Sequence, residues 1–438
     1  MLEQFKEQFE KRGYEKPTAI QEAVFEPMSQ HKSVLGLAPT GSGKTVAFIL
    51  PILGEVVPGD GSQILILSPS QELAMQTTSV IRDWAKSYDV KVLALTGGAN
   101  VKRQMEQLRK RPEIIIGTPG RVLNLVEDRK LKLHLMQTII IDEADDLLAG
   151  ETLETVRNTV EQAPADVQLG FFSATETPIL HELPKWFGQE VETFDVRLID
   201  DTQGQVAHDL LQISPKKRVE SLKKLSTMEN FRALVFFNQM STLKYVVSRF
   251  RHEHVAFAEL TSDARQVQRE KALKDFRLGR VKLLLTTDVA ARGLDIPKLP
   301  AVVNFDLPST PNTYVHRAGR TGRMGEPGLV VSMGDDHDLR DFRHQMAKSD
   351  YEYKRVYFFK KALVERIPDQ PKARVEASTT NSTSTPTGRE THKGAERAKR
   401  EPYSSAKVVE TPIKKKGHKK HQKNKGMRKK RREQSDKV

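Results

Sequence analysis

The chain has 438 residues, 37% hydrophobic and 29% charged, with a net charge of +14 and no cysteine, so it is long enough for two or three cored domains and cannot carry a disulfide framework. No stretch approaches the roughly 18 consecutive apolar residues of a membrane-spanning helix, and residues 1–30 mix charge with apolar side chains where a signal peptide would be apolar. A soluble, intracellular protein, cytoplasmic and without a membrane partner, is expected.

From the N-terminus, short β-branched runs recur at 33–37, 63–67, 91–95, 113–116, 138–141 and 169–172, each followed by a helical pattern. This alternation predicts an α/β fold of parallel strands with crossover helices, and runs apolar on both faces predict sheets covered by helices on each side. The polar, Gly-containing stretch RLIDDTQGQVA (197–207) reads as a linker. A second strand series follows at 233–237, 255–260, 282–286, 301–304 and 328–333. The expected organisation is a first lobe over 1–197, a linker over 198–207, a second lobe over 208–368 and a disordered tail over 369–438. That last region holds the charge: residues 370–438 carry 21 Lys and Arg against 7 Asp and Glu, the whole of the +14, and leave the rest of the chain balanced. A concentrated basic block attracts polyanions, so phosphate-rich nucleic acid is the expected partner, with a solubilising extension as the alternative.

The first run leads into Ala38-Pro39-Thr40-Gly41-Ser42-Gly43-Lys44-Thr45 and then an apolar helix. Strand, glycine-rich turn, Lys-Thr and helix, in that order, form a phosphate-binding loop. Gly41 and Gly43 let backbone amides face phosphate oxygens, and the helix N-terminus adds partial positive charge. Thr40, Gly41, Ser42, Gly43, Lys44 and Thr45 are therefore the expected nucleotide-binding set, with Lys44 on the β- and γ-phosphates and the Thr45 hydroxyl on Mg²⁺. The strict pattern begins with Gly, and here that position is Ala38.

The run at 138–141 ends in Asp142-Glu143-Ala144-Asp145. Ligands of open α/β sheets bind at the carboxyl ends of the strands, so Asp142 is expected to hold the Mg²⁺ shell and Glu143 to orient or deprotonate the attacking water. An acidic helix N-cap is the competing reading of the same residues, and pairing with a phosphate loop on the same sheet argues against it.

Those four residues spell DEAD, and together with APTGSGKT they resemble the DEAD-box RNA helicases. Further signatures of that family occur in order: GYEKPTAIQ (13–21), PSQELA (69–74), Gly97-Gly98, TPGR (118–121), SAT (173–175), VFFN (235–238), Gln266 with Arg269, TTDVAARGLD (286–295) and HRAGRTGR (316–323). The resemblance spans 13–328 and implies two tandem RecA-like lobes that close over ATP, Mg²⁺ and RNA. It implies that Tyr14 stacks on adenine while Gln21 reads its edge, and that Asp295 contacts the ribose. It places Arg320 and Arg323 as arginine fingers, with His316 near the attacking water and the acidic box. Asp145, Ser173 and Thr175 would couple hydrolysis to RNA. RNA would run past Pro69, Gly98, Thr118, Gly120 and Arg121 in the first lobe and Gly279, Thr287 and Asp288 in the second, read through its backbone and 2′-OH with little regard for sequence.

The chain departs from the family pattern at three places. Gln71 stands where Arg is usual, which would weaken one phosphate contact; Thr261-Ser262 replaces the common His-Gly; and the family's upstream aromatic residue would fall before Met1, which would lower adenine affinity. The expected function is an RNA-stimulated ATPase that locally unwinds short duplexes or remodels RNA–protein complexes. It would act as a monomer, in ribosome assembly, RNA turnover or cold adaptation, with ribosomal or pre-ribosomal particles among its partners. A DNA translocase on the same fold and a non-catalytic RNA-annealing factor are the alternatives, separable by RNA-against-DNA stimulation and by Lys44→Ala against tail deletion.

Overall fold

The structure is a computed structural model and describes residues 5–97, 101–264, 266–291, 294, 296, 298–347, 349 and 351–367. The expected disordered basic tail lies outside the described residues.

The first sheet has seven strands: β1 (Val34–Leu37), β2 (Ile64–Leu67), β3 (Val92–Leu95), β4 (Ile114–Gly117), β5 (Thr138–Asp142), β6 (Gln168–Ser173) and β7 (Glu192–Asp195). Their order is β3-β4-β2-β5-β6-β1-β7 and every pairing is parallel. Alternation along a buried strand feeds two cores. Ile64 and Ile66 of β2 join Phe48, Ile81 and Trp84 on one face, while Leu65 and Leu67 join Val122, Leu147 and Val156 on the other. Each such Ile or Leu contributes about 1.5–3 kcal/mol of burial.

The second sheet has eight strands: β8 (Val206–Gln212), β9 (Ala233–Phe237), β10 (Ala258–Leu260), β11 (Leu283–Thr287), β12 (Ala301–Asn304), β13 (Gly328–Gly334), β14 (Tyr353–Phe359) and β15 (Ala362–Val364). The order is β10-β11-β9-β12-β13-β8-β14-β15, parallel except for the antiparallel β14–β15 hairpin. The stretch expected to be a linker ends inside β8, whose first residues Val206 and Ala207 pair with Gly328 and Leu329 at the register Gly328↔Val206, Leu329↔Ala207. Its Gln203 also bridges to Arg323.

In the first sheet β5, β6 and β1 are consecutive neighbours, so the carboxyl ends of these three strands, with the phosphate-type loop after Leu37, the acidic run at Asp142 and the Ser173–Thr175 turn, meet at one edge. Open α/β sheets place their ligands at such an edge.

Candidate active site between the two sheets

After β1 the chain turns through Gly41 and Gly43, both at positive φ (91 and 83°). A Cβ at Gly43 would lie 2.5 Å from Gln21 Nε2, so a side chain there would displace that amide, and the positive φ itself favours glycine. Lys44 is buried at the start of the helix Lys44–Leu53, and its ammonium donates to Ala38 O at 2.9 Å and Pro39 O at 3.0 Å. The loop's own carbonyls thus hold the charge that phosphate oxygens would attract. Ser42 Oγ is buried without a hydrogen-bond partner among the described residues.

At the end of β5, Glu143 takes a left-handed conformation (φ 53°) and starts the short helix Ala144–Leu147. A non-glycine residue there costs on the order of 1–2 kcal/mol, and the turn aims both carboxylates off the strand end. Burial, then the Glu143 charge, pushes the Asp142 carboxyl up to about 7 against the opposing pull of Lys44. Glu143 Oε2 is buried with no hydrogen-bond partner among the described residues. The carboxylates therefore bring more buried negative charge than Lys44 offsets, and oxygen donors with uncompensated charge suit a hard divalent cation such as Mg²⁺.

Asp145 forms the bridge to the second sheet. Its Oδ2 accepts from the Thr175 hydroxyl, Ser173 Oγ in turn accepts from Thr175 N at 3.1 Å, and His316 Nε2 of the second sheet's helix Pro311–Ala318 lies 2.9 Å from the same Oδ2. Burial alone would push the Asp145 carboxyl up, but hydrogen bonds from His316, Thr175 and Ser173 hold it below the usual carboxylate range. Burial likewise works against a charged His316, yet Asp145 and Glu143 raise its pKa. Ligand atoms of Glu143, Asp145 and His316 lie within 4.8 Å of one another; the carboxylates that raise the His316 pKa favour a proton on the ring, and a nitrogen that carries a proton cannot ligate.

Arg320 and His316 share a cavity of about 90 Å³ with Glu143, Asp288 and Pro69. Arg320 Nε donates to His316 O at 3.2 Å and a terminal nitrogen to Leu294 O at 3.0 Å. Arg323 lies over the phosphate-type loop, its Cγ 3.1 Å from where a Gly41 Cβ would stand. Thr40 Oγ1 donates to Gly319 O at 3.1 Å, so the loop of one sheet and the arginine turn of the other touch directly.

The sequence reading did not single out Arg317, which holds this arrangement in place. It is 1% exposed and forms ion pairs with Asp288 at 2.6 Å while donating to Asn238 Oδ1 (2.7 Å), Asn304 Oδ1 (3.2 Å) and Asp306 O (2.8 Å). One side chain thereby ties the ends of β9, β11 and β12 to the helix that presents His316, just before the turn that carries Arg320. Asp288, expected on the RNA path, is committed to that pair, and Thr287 beside it is buried.

Other expected residues lie further out. Gln21 accepts from Thr18 N at 3.1 Å and donates to Gly43 O at 3.3 Å, joining its helix cap to the loop. Tyr14 is 37% exposed and stands edge-on to Phe9 with ring centroids 5.9 Å apart. Pro69, Thr118 and Arg121 line a broad groove of about 2230 Å³ that Arg269 and Ala290 complete from the second sheet. Arg121 donates to Gln104 Oε1 at 3.2 Å, and Gln104 donates to Thr96 O at 2.9 Å. Gly120 lies in the first turn of the helix Pro119–Glu127, and Gly279 takes a positive φ after the helix Gln266–Arg277. Gly98 and Asp295 lie outside the described residues.

Arg269 also crosses the groove to Glu72 at 2.7 Å and donates to Thr261 O at 2.7 Å. The contact uses the carbonyl of Thr261, so the absence of His-Gly there leaves it intact.

Residues 18–183 match the family model described as DEAD/DEAH box helicase, and residues 217–325 match that of the helicase conserved C-terminal domain. The chain is 41% identical over 322 residues to the probable ATP-dependent RNA helicase YfmL of Bacillus subtilis, covering 73% of this chain and 85% of that one. It is 32% identical over 372 residues to the DEAD-box ATP-dependent RNA helicase CshC of Bacillus cereus, covering 85% of this chain and 95% of the relative. Among solved structures, Saccharomyces cerevisiae Dbp5 bound to RNA and ADP BeF3 superposes with a TM-score of 0.71 at 29% identity, covering 80% of this chain and 92% of that one. No described helix is long and apolar enough to cross a membrane.

Proposed function

The chain belongs to the DEAD-box ATP-dependent RNA helicases, and we propose that its ATPase site is a composite, completed only when residues of the second lobe reach the nucleotide held by the first. As a family member it binds nucleotide and RNA and unwinds RNA at the cost of ATP. The observation that carries the composite reading is the pairing of His316 with Asp145 at 2.9 Å, alongside a cavity that Arg320 and Glu143 line together.

In this reading residues 1–197 form the nucleotide-binding lobe, 198–207 the linker and 208–368 the second lobe, with 369–438 as the basic tail. Lys44 leaves its carbonyl partners for the β- and γ-phosphates of ATP, and backbone amides of 40–45 cradle them. Thr45 and Asp142 would hold Mg²⁺, which when bound neutralises phosphate charge. Glu143, whose Oε2 has no partner among the described residues, takes the proton of the attacking water. Arg320 and Arg323 stabilise charge on the transferred group, and Tyr14, Gln21 and Asp295 hold the nucleoside. The Asp145–Thr175–Ser173 chain links the acidic run to the loop that follows β6.

RNA lies in the broad groove past Pro69, Gly98, Thr118, Gly120 and Arg121, and reaches Gly279, Thr287 and Asp288 at the second lobe. Arg269–Glu72 spans the same groove. ATP and RNA each favour the closed arrangement, so each raises the affinity for the other. Both halves of the site come from one chain, as a monomeric enzyme requires.

Two substitutions separate the assigned roles. Lys44→Ala is expected to lose ATP binding, whereas Glu143→Gln is expected to bind ATP and hold RNA longer, because only the hydrolytic step is removed. Equal loss of ATP affinity in both variants, measured with a fluorescent nucleotide, would remove Glu143 from that role.

A further inference from the structure

We propose that the β14–β15 hairpin, at the outer edge of the second sheet, is a further contact for single-stranded RNA, separate from the groove between the lobes. Strand β14 and its turn read YKRVYFFKK (353–361), four aromatic and four basic residues in nine, against 6% aromatic for the chain as a whole.

Strand alternation sorts these side chains. Val356 is buried and Phe358 packs on the same core; Tyr353 packs on the core of the opposite face, and Arg355 pairs with Asp336 at 3.0 Å. Tyr357 and Phe359, two positions apart and so on one face, are half-buried and belong to neither core. They form a partly exposed aromatic step outside both clusters.

The pairing of Phe359 with Ala362 closes a two-residue turn made of Lys360 and Lys361, both at positive φ (44 and 62°). Such a turn favours Asn-Gly, because a β-carbon strains both positions. Here it displays two ammonium groups. Lys360 Nζ lies 5.2 Å from the Phe359 ring centroid, and among the described residues no carboxylate forms an ion pair with Lys360, Lys361 or Arg366. Lysines often guard an edge strand against unwanted pairing. Guarding explains a charge on the strand, but it does not explain cations at a strained turn beside two partly exposed rings. Aromatic faces flanked by cations are what stacks bases and neutralises phosphates of a single strand.

The sheet order separates β14 from β10, beside the groove, by six strand spacings, about 29 Å at roughly 4.8 Å each. A different stretch of the strand would therefore engage the hairpin. The inference rests on RNA being the chain's partner and not on the roles assigned to the ATPase residues.

The test uses the full-length chain and a fluorescein-labelled oligouridylate, with binding followed by anisotropy over a salt series. Lys360→Asn/Lys361→Gly gives the turn the residues it favours, so the hairpin persists while both cations go. Binding should weaken about fivefold at low salt, and the slope of log K against log salt should fall by about 1.4, roughly 0.7 per lysine. Tyr357→Ser/Phe359→Ser should weaken binding about fivefold or more because the bases lose their stacking surface. RNA-independent ATPase should be unchanged in both. An unchanged salt slope in the Asn-Gly variant would overturn the proposal and leave the hairpin as a guarded sheet edge. Failure of the wild type to bind the probe would instead count against RNA binding by the chain as a whole.

Discussion

Gly319 is a point where the two halves of the site touch, through the Thr40 hydroxyl. A Cβ there would lie 1.6 Å from Thr40 Oγ1 and 2.8 Å from Thr40 Cβ, a clash that neither the loop nor the arginine turn can relieve without moving apart. Gly319→Ala is therefore expected to leave ATP binding to the first lobe intact and to abolish RNA-stimulated hydrolysis, because closure is blocked; stimulated ATPase within a few-fold of wild type would contradict the contact. At this scale the sequence was legible where function has a local signature. Lys44, Asp142 and Glu143 stand out as candidates because a glycine-rich turn and a carboxylate run at strand ends are short, contiguous patterns. Arg317 does not, because its partners Asn238, Asp288, Asn304 and Asp306 are gathered only by the sheet. Nothing in the motif separates it from the two arginines that follow.

At the scale of elements, the helix Pro311–Ala318 presents His316, and its other face is anchored by Tyr314, fully buried against β8 and the aromatic run near β14. His208 of β8 lies with Nδ1 2.6 Å from the Tyr314 hydroxyl and its ring 4.4 Å from that of Tyr351. Burial lowers the His208 pKa from 6.5 to about 4. The fold thus prefers neutral His208, so its contribution to stability is full above about 6.5 and is lost as pH falls toward about 4. Burial of the adjacent Asp209 raises its pKa from 3.8 to about 6, so it acts in the opposite sense, favouring the fold as pH falls. Replacing His208 isolates its part. His208→Gln should reduce the loss of stability between pH 7 and pH 5 by about 1–2 kcal/mol, read from urea midpoints of the second lobe; an identical pH dependence would show that the histidine is not held neutral.

The same scale shows which elements the sequence revealed. β9 and β12 match the expected 233–237 and 301–304 to the residue, because both are buried throughout and apolar except for Asn304 at the end of β12. β7 reads ETFD and is mostly exposed, β8 mixes His and Asp into its apolar positions, and the β14–β15 hairpin follows the last run recognised. Such strands are specified by their neighbours more than by their own pattern.

For the whole molecule, charge and chemistry are segregated along the chain. The excess of +14 belongs to residues 370–438, whereas every residue assigned to nucleotide or catalysis lies at or before Arg323. Deleting the tail should weaken RNA binding several-fold at low salt and flatten the salt dependence, by roughly 0.7 for each phosphate the tail neutralises, while the ATPase rate at saturating RNA stays near wild type. An unchanged slope would assign the tail to solubility or to a protein partner.

The central claim, that the second lobe completes an ATPase site begun in the first, is tested most directly by Arg320→Ala. ATP affinity without RNA and RNA-stimulated turnover are measured on the same preparation. An arginine finger contributes on the order of 10³ or more in rate, so stimulated hydrolysis should fall to the unstimulated level while ATP affinity in the absence of RNA stays within about twofold of wild type, a difference under roughly 0.5 kcal/mol. A large loss of ATP affinity without RNA, or retention of stimulated hydrolysis, would contradict the account.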